Sequence, residues 1–220
     1  GERTEPLNPT LRFVEEWGMK LLFAGRTVFR GKDKTAFLRD LKIDLDGAYV
    51  LPEGGTNCLA LRGTAETVSE IEAQLGFLPG HILTACGTGG TLAGVVSGLH
   101  GTCRAHGIPV LKGDFMEKEV AELLRACGHS PSPNWYVHTS YHFGGYAKFT
   151  PALIGFIHRF KKKHGIPLDP VYTGKAFFAT FDLIERGLFG EGTTAVLLHT
   201  GGLQGIAGFN ERFPAWQIEG

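Results

Sequence analysis

The sequence predicts an α/β fold in three layers, a mostly parallel sheet with helices on both faces. Short apolar runs alternate with longer helical patterns along the chain, and strands separated by helices pair in parallel. Glycine, 32 of 220 residues, gathers at Gly54-Gly55, Gly87 to Gly90, Gly144-Gly145 and Gly201-Gly202, places that need unusual dihedrals or close ligand approach. With 43% hydrophobic and 20% charged residues the chain can bury the core of one large domain, or of one domain plus a fragment of another.

The elements follow in order. Asn8-Pro9 starts a helix that Gly18 stops. Met19 to Ala24 and Ala48 to Leu51 read as strands, as do His81 to Cys86, Ile108 to Leu111 and Ala195 to Leu198. Helical patterns cover Asn57 to Leu75, Thr91 to His106, Asp114 to Cys127 with Asp114 as cap, Thr150 to His164 with Thr150 as cap, and Lys175 to Arg186. The charged stretch Arg30 to Asp46 suggests a boundary near residue 45, leaving residues 1–45 as the remnant of a small domain and 46–220 as the large one.

Charge and cysteine usage narrow the function classes. Twenty-two basic residues balance 22 acidic ones, so nothing points to nucleic acid or an anionic membrane, and a small molecule is the expected partner. Cys58, Cys86, Cys103 and Cys127 lack zinc-ligand spacing, so no metal is expected, and they read as reduced thiols of a cytoplasmic protein. No run of eighteen apolar residues occurs.

Four loops carry the candidate chemistry. In Ile82 to Gly94 a buried strand runs into Gly87-Thr88-Gly89-Gly90-Thr91 and then a helix. Such a loop turns backbone N–H groups and a positive helix end toward one point, as an anion needs. No Gly-Lys-Ser/Thr follows and Leu92 breaks the dinucleotide fingerprint, so a phosphate cradle or a plain tight turn are the two readings. Leu51 to Asn57 faces a ligand or caps a helix through Asn57. Val171 to Lys175 and Leu198 to Gly202 complete the set.

Gly1-Glu2 with Pro6-Leu7-Asn8-Pro9-Thr10, Pro52-Glu53-Gly54-Gly55-Thr56-Asn57, Gly87-Thr88-Gly89-Gly90-Thr91, Asp169 to Lys175 and His199-Thr200-Gly201-Gly202 occur in family order. On them the chain resembles the 1-aminocyclopropane-1-carboxylate deaminase / D-cysteine desulfhydrase family of pyridoxal-phosphate (PLP) enzymes. The resemblance implies PLP fold type II, shared with tryptophan synthase β subunits, and a homodimer. It implies that Gly87, Thr88, Gly89, Gly90 and Thr91 hold the cofactor phosphate, and that Tyr146 and Tyr172 lie near the substrate, where their phenols orient its carboxylate or pass protons; a packed aromatic is the other reading of either.

Ring-opening deaminases of the family carry Tyr-Glu-Gly-Lys and His-Leu-Gly-Gly where this chain has Thr173 and Thr200, which resembles the desulfhydrase branch. A hydroxyl instead of a carboxylate at the pyridine nitrogen gives a shallower electron sink, suited to β-elimination of a good leaving group. The implied reaction is D-cysteine desulfhydration, with cyclopropane ring opening as the alternative. Family members also carry a cofactor lysine in an Asn-Lys motif followed by Ser-Asn, and neither occurs here. Lys161 to Lys163, Lys148 and Lys175 are not expected to replace it. The expectation is therefore a fragment or an inactive remnant, and a non-catalytic PLP- or phosphate-binding protein is the reading from another class.

Overall fold

The computed structural model describes residues 7–23, 46–130 and 133–220. Helix α1 (Pro9–Glu16) opens as expected, Asn8 accepting a hydrogen bond from the Leu11 N–H. It seats on the far end of the chain, where Arg12 pairs with Glu211 at 2.9 Å. Met19 to Phe23 form no strand, and the rest of that expected element, the charged stretch up to Leu45 and the division at residue 45 lie outside the described residues. Ala48 to Leu51 form no strand either. Tyr49, Val50 and Leu51 are exposed and have no ladder partner among the described residues.

From there the alternation holds. Helix α2 (Cys58–Leu75) is capped by Asn57 and ended by Gly76 at positive φ, and β1 (His81–Cys86) follows with all six residues buried. Helix α3 (Gly90–Gly98) stops eight residues short of the expected end. Gly98 packs so tightly on α2 that an added Cβ would lie 2.4 Å from the Ala65 carbonyl oxygen, and Leu99 turns extended. The freed residues enter the sheet as β2 (Arg104–Pro109), placed earlier than the expected 108–111. Helix α4 (Met116–Ala126) has no side-chain cap, so Asp114 does not play the role assigned to it. Strand β3 (Trp135–Val137) was not expected. Helices α5 (Pro151–His164) and α6 (Thr173–Glu185), strand β4 (Ala195–Leu197) and helix α7 (Gly205–Arg212) complete the chain.

Among the described residues the sheet has the order β3-β2-β1-β4, every pair parallel. Ile82 and Cys86 of β1 face Leu61, Leu92, Val95 and Val120 from α2, α3 and α4. Leu83 and Ala85 face Ala176 and Ala179 of α6 on the other side. These are the three layers, and the central strand β1 is buried on both faces, as in parallel sheets. No helix among the described residues is long and apolar enough to cross a membrane.

Two features depart from the sequence reading. Cys58, opening α2, and Cys127, ending α4, are joined in a disulfide with their Cα atoms 5.3 Å apart. The reduced-thiol expectation is thus corrected for this pair, and the compartment argument built on it falls; Cys86 and Cys103 are free and buried. On the α6 side of the sheet His81, His106 and His138 form a hydrogen-bonded row. His81 Nδ1 lies 2.9 Å from His106 Nε2, and His106 Nδ1 lies 3.0 Å from His138 Nε2. Burial lowers all three pKa values, that of His106 to about 3, where the neighbouring His138, His81 and Arg104 add to the effect.

Candidate functional site

A cavity of about 660 Å³ opens at the carboxyl end of β1, the place where parallel sheets bind ligands. Its floor is the loop from β1 to α3. Gly89 there takes φ 82, a conformation glycine adopts without steric cost, and serves as the N-cap residue of α3. The first turn of such a helix has N–H groups without intrahelical partners, all pointing the same way. Two loops meet at close quarters here. The hydroxyls of Thr56 and Thr88 share a hydrogen bond at 2.6 Å. A Cβ on Gly54 would lie 2.7 Å from Thr88 Oγ1, and one on Gly90 would lie 2.7 Å from Thr56 Oγ1. The glycines of both loops thus answer a packing need as well as a binding one.

Of the residues singled out from sequence, Gly87, Thr88, Thr91, Tyr146, Tyr172 and Thr200 line the cavity. Gly89 and Gly90 belong to the same loop without lining the cavity, and a Cβ on Gly89 would meet Val120 and Met116. Tyr146 and Tyr172 meet with ring centroids 6.1 Å apart, edge to face. Burial raises the Tyr172 phenol pKa, and its hydrogen bond with Tyr146 and the charges of Asp169 and Glu53 raise it further.

Thr173 is placed differently. It is fully buried and lies outside the cavity wall. Its hydroxyl donates to Asp169 Oδ2 at 2.6 Å and accepts from the Asp169 N–H at 2.9 Å. Asp169 also accepts from the N–H groups of Val171, Tyr172 and Thr173, each at 2.8 Å, so one buried carboxylate organises the start of α6. The same carboxylate abuts Gly202, where a Cβ would come within 2.9 Å of Oδ2. Thr200 alone of the two threonines presents itself to the cavity.

Sequence reasoning quoted Asp169 and Glu53 within motifs without giving either a role of its own, and it passed over Gln204. Glu53 and Gln204 line the cavity from a turn and a loop whose shape depends on distant contacts. For Asp169 a signal existed: an aspartate followed by proline, four residues ahead of a helix, is an Asx-turn pattern.

Comparison with known proteins agrees with this geometry. The family model described as pyridoxal-phosphate dependent enzyme matches residues 6–201. A Pyrococcus horikoshii protein assigned provisionally as a 1-aminocyclopropane-1-carboxylate deaminase is 36% identical over 184 residues, 79% of this chain and 55% of that protein. The bifunctional D-cysteine desulfhydrase/1-aminocyclopropane-1-carboxylate deaminase, mitochondrial, of Arabidopsis thaliana is 34% identical over 178 residues, 75% of this chain and 44% of that protein. A crystal structure of an ACC deaminase homologue superposes with a TM-score of 0.78 at 29% identity, covering 98% of this chain and 68% of that one. The chain spans about half the length of the curated relatives it matches. With a matching family model over most of its length and a parallel sheet ending in a glycine cradle, the chain belongs to the pyridoxal-phosphate dependent enzyme family.

Proposed function

We propose that this chain builds the cofactor-binding body of a PLP-dependent lyase for a small amino acid, with D-cysteine as the specific substrate. With water, D-cysteine would yield pyruvate, sulfide and ammonia. The observation that carries the reading is the Gly87–Thr91 cradle opening into the same cavity as Tyr146 and Tyr172. The cradle fits a phosphate: it combines a left-handed glycine, a helix N-terminus and the Thr88 hydroxyl, and it leaves no room for a Cβ at Gly90.

In this reading the backbone of Gly87 to Thr91 and the Thr88 side chain would hold the phosphate, and Thr200, at the cavity wall, would supply a hydroxyl to the pyridine ring. When bound, PLP supplies the electron sink that weakens bonds at the substrate's α-carbon. The protein's part is positional. Tyr172, half-buried and kept protonated well above neutrality, holds a proton at its hydroxyl, and Tyr146 beside it orients that hydroxyl. Thr200 offers a neutral hydroxyl, consistent with a good leaving group such as sulfide. The Arabidopsis relative that carries both activity names makes cyclopropane ring opening the second reading. We extend the proposal to a homodimer, to be read by light scattering.

The first experiment is PLP titration of the chain by fluorescence quenching, with inorganic phosphate as competitor. Saturable binding that phosphate reverses is expected, and its absence in a folded sample would end the cradle reading. Release of 2-oxo acid from D-cysteine and from 1-aminocyclopropane-1-carboxylate, in the longest reading frame that contains this chain, then decides the substrate. Faster turnover of the cyclopropane would overturn the D-cysteine assignment.

A further inference from the structure

Lys175 is fully buried, yet it lines no part of the cavity and, among the described residues, faces no carboxylate at hydrogen-bonding distance. Its ammonium donates instead to three backbone carbonyls: Gly145 at 2.8 Å, His142 at 2.9 Å and Val110 at 3.4 Å. An ammonium has three donors, and here each has an acceptor. Two of these carbonyls belong to a turn of unusual conformation, His142 at its start and Gly145 within it. Phe143 (φ 53), Gly144 (φ 97), Gly145 (φ 124) and Ala147 (φ 53) all lie at positive φ, and Tyr146 sits among them. Such a run is held only where its surroundings over-determine it. The turn's own hydrogen bonds are few: Gly145 N–H to the His142 carbonyl at 3.0 Å, Lys148 N–H to the Gly145 carbonyl at 3.1 Å, and Gly144 N–H to His142 Nδ1 at 2.8 Å. The third carbonyl, Val110, lies just past the end of β2, so the ammonium pins the turn to the sheet.

We infer that Lys175 is the positioning residue of the tyrosine pair, a buried cation that clamps the 142–147 turn and so sets Tyr146 against Tyr172. The linkage runs through one element. Tyr172 immediately precedes α6 and Lys175 lies in its first turn, so the start of that helix places one phenol directly and the other through the ammonium. The inference rests on the reading of Tyr146 and Tyr172 as the proton-handling pair, but the clamp itself needs neither cofactor nor substrate to be seen. A lysine retained for bulk alone would not direct all three of its donors to main-chain oxygens from two separate segments.

The test uses the full chain labelled with 3-fluorotyrosine, the signals of positions 146 and 172 being assigned with Tyr146→Phe and Tyr172→Phe. Lys175→Met keeps length and volume and removes every donor. Its expected result is movement of the Tyr146 signal toward that of free fluorotyrosine, a shift at Tyr172, and faster amide hydrogen exchange at Gly145 and Lys148 by about tenfold or more. The remote Tyr49 signal should stay in place. Lys175→Gln, which restores two donors, should recover part of the shift. Unchanged Tyr146 and Tyr172 signals in a folded Lys175→Met protein would overturn the inference.

If Lys175→Met does not fold, the wild-type chain decides. With ¹⁵N-lysine and ¹³C-carbonyl labels, a slowly exchanging ammonium resonance correlated with the carbonyl carbons of His142 and Gly145 is expected. An ammonium in fast exchange with water, without those correlations, would overturn the clamp. Neither readout involves PLP, so failure here is distinguishable from failure of the proposed activity.

Discussion

Gly90 and Thr56 show how much of the cradle depends on single side chains. A methyl group at position 90 would press on Thr56 Oγ1, which is already bonded to Thr88. Gly90→Ala should therefore break the Thr56–Thr88 contact and weaken phosphate-competable PLP binding by about tenfold, or roughly 1.4 kcal/mol. An unchanged affinity would mean that the contact is incidental. The two threonines should part company in a similar way. Thr173→Val deletes a buried hydroxyl that satisfies Asp169 and should cost about 1–3 kcal/mol in urea unfolding, with PLP affinity little changed. Thr200→Val, at the cavity wall, should leave stability within about 0.5 kcal/mol and change the ratio of D-cysteine to cyclopropane turnover. If Thr173→Val alone alters that ratio, the assignment of Thr200 to the ring is wrong.

Among the elements, helices with their own punctuation were the legible ones. Asn8, Asn57 and Thr150 cap where the pattern says they should, because a cap is a contact over three residues. Strand β2 was misplaced because Arg104, His106 and Gly107 interrupt the apolar run on which strands are recognised, and only the sheet makes room for them. Three-residue β3, with half-buried Trp135 and Val137, carries too little pattern to be seen. The cavity loops were legible through their glycines, whereas Lys175 was not, since its carbonyl partners lie in distant loops; Asp169, whose hydrogen-bond partners lie within four residues, left only a local Asx-turn signal.

The bond between α2 and α4 was equally hidden, its cysteines lying 69 residues apart. On loop-closure grounds a cross-link of that span stabilises by up to about 4 kcal/mol. Dithiothreitol should then lower the urea midpoint of the wild-type chain and leave Cys58→Ser, already lowered, where it is. A reductant-insensitive wild type would show that the two thiols do not pair in solution.

At the scale of the molecule, the histidine row makes stability depend on pH. All three pKa values are lowered in the folded chain, so protons bind the unfolded chain first, near its ordinary value of 6.5. The stability these residues contribute is complete above pH 6.5. For His106 it is lost as pH falls toward about 3, at up to about 1.4 kcal/mol per pH unit, and His81 and His138 act in the same direction. Urea unfolding at pH 8, 6.5 and 5.5 should show flat and then falling stability, the fall being shallower in His106→Gln. A flat profile down to pH 5.5 would contradict the burial of the row.

The same row has a handedness of protons. Each link joins Nδ1 of one ring to Nε2 of the next, and a neutral imidazole carries a single N–H. If His81 donates through Nδ1, His106 must accept at Nε2 and donate onward from Nδ1; if His138 donates through Nε2, each ring before it is reversed. A mixed row would set two lone pairs or two hydrogens face to face. The three rings therefore share one tautomer, and the sheet carries a binary state that ¹⁵N chemical shifts would read in all three histidines together.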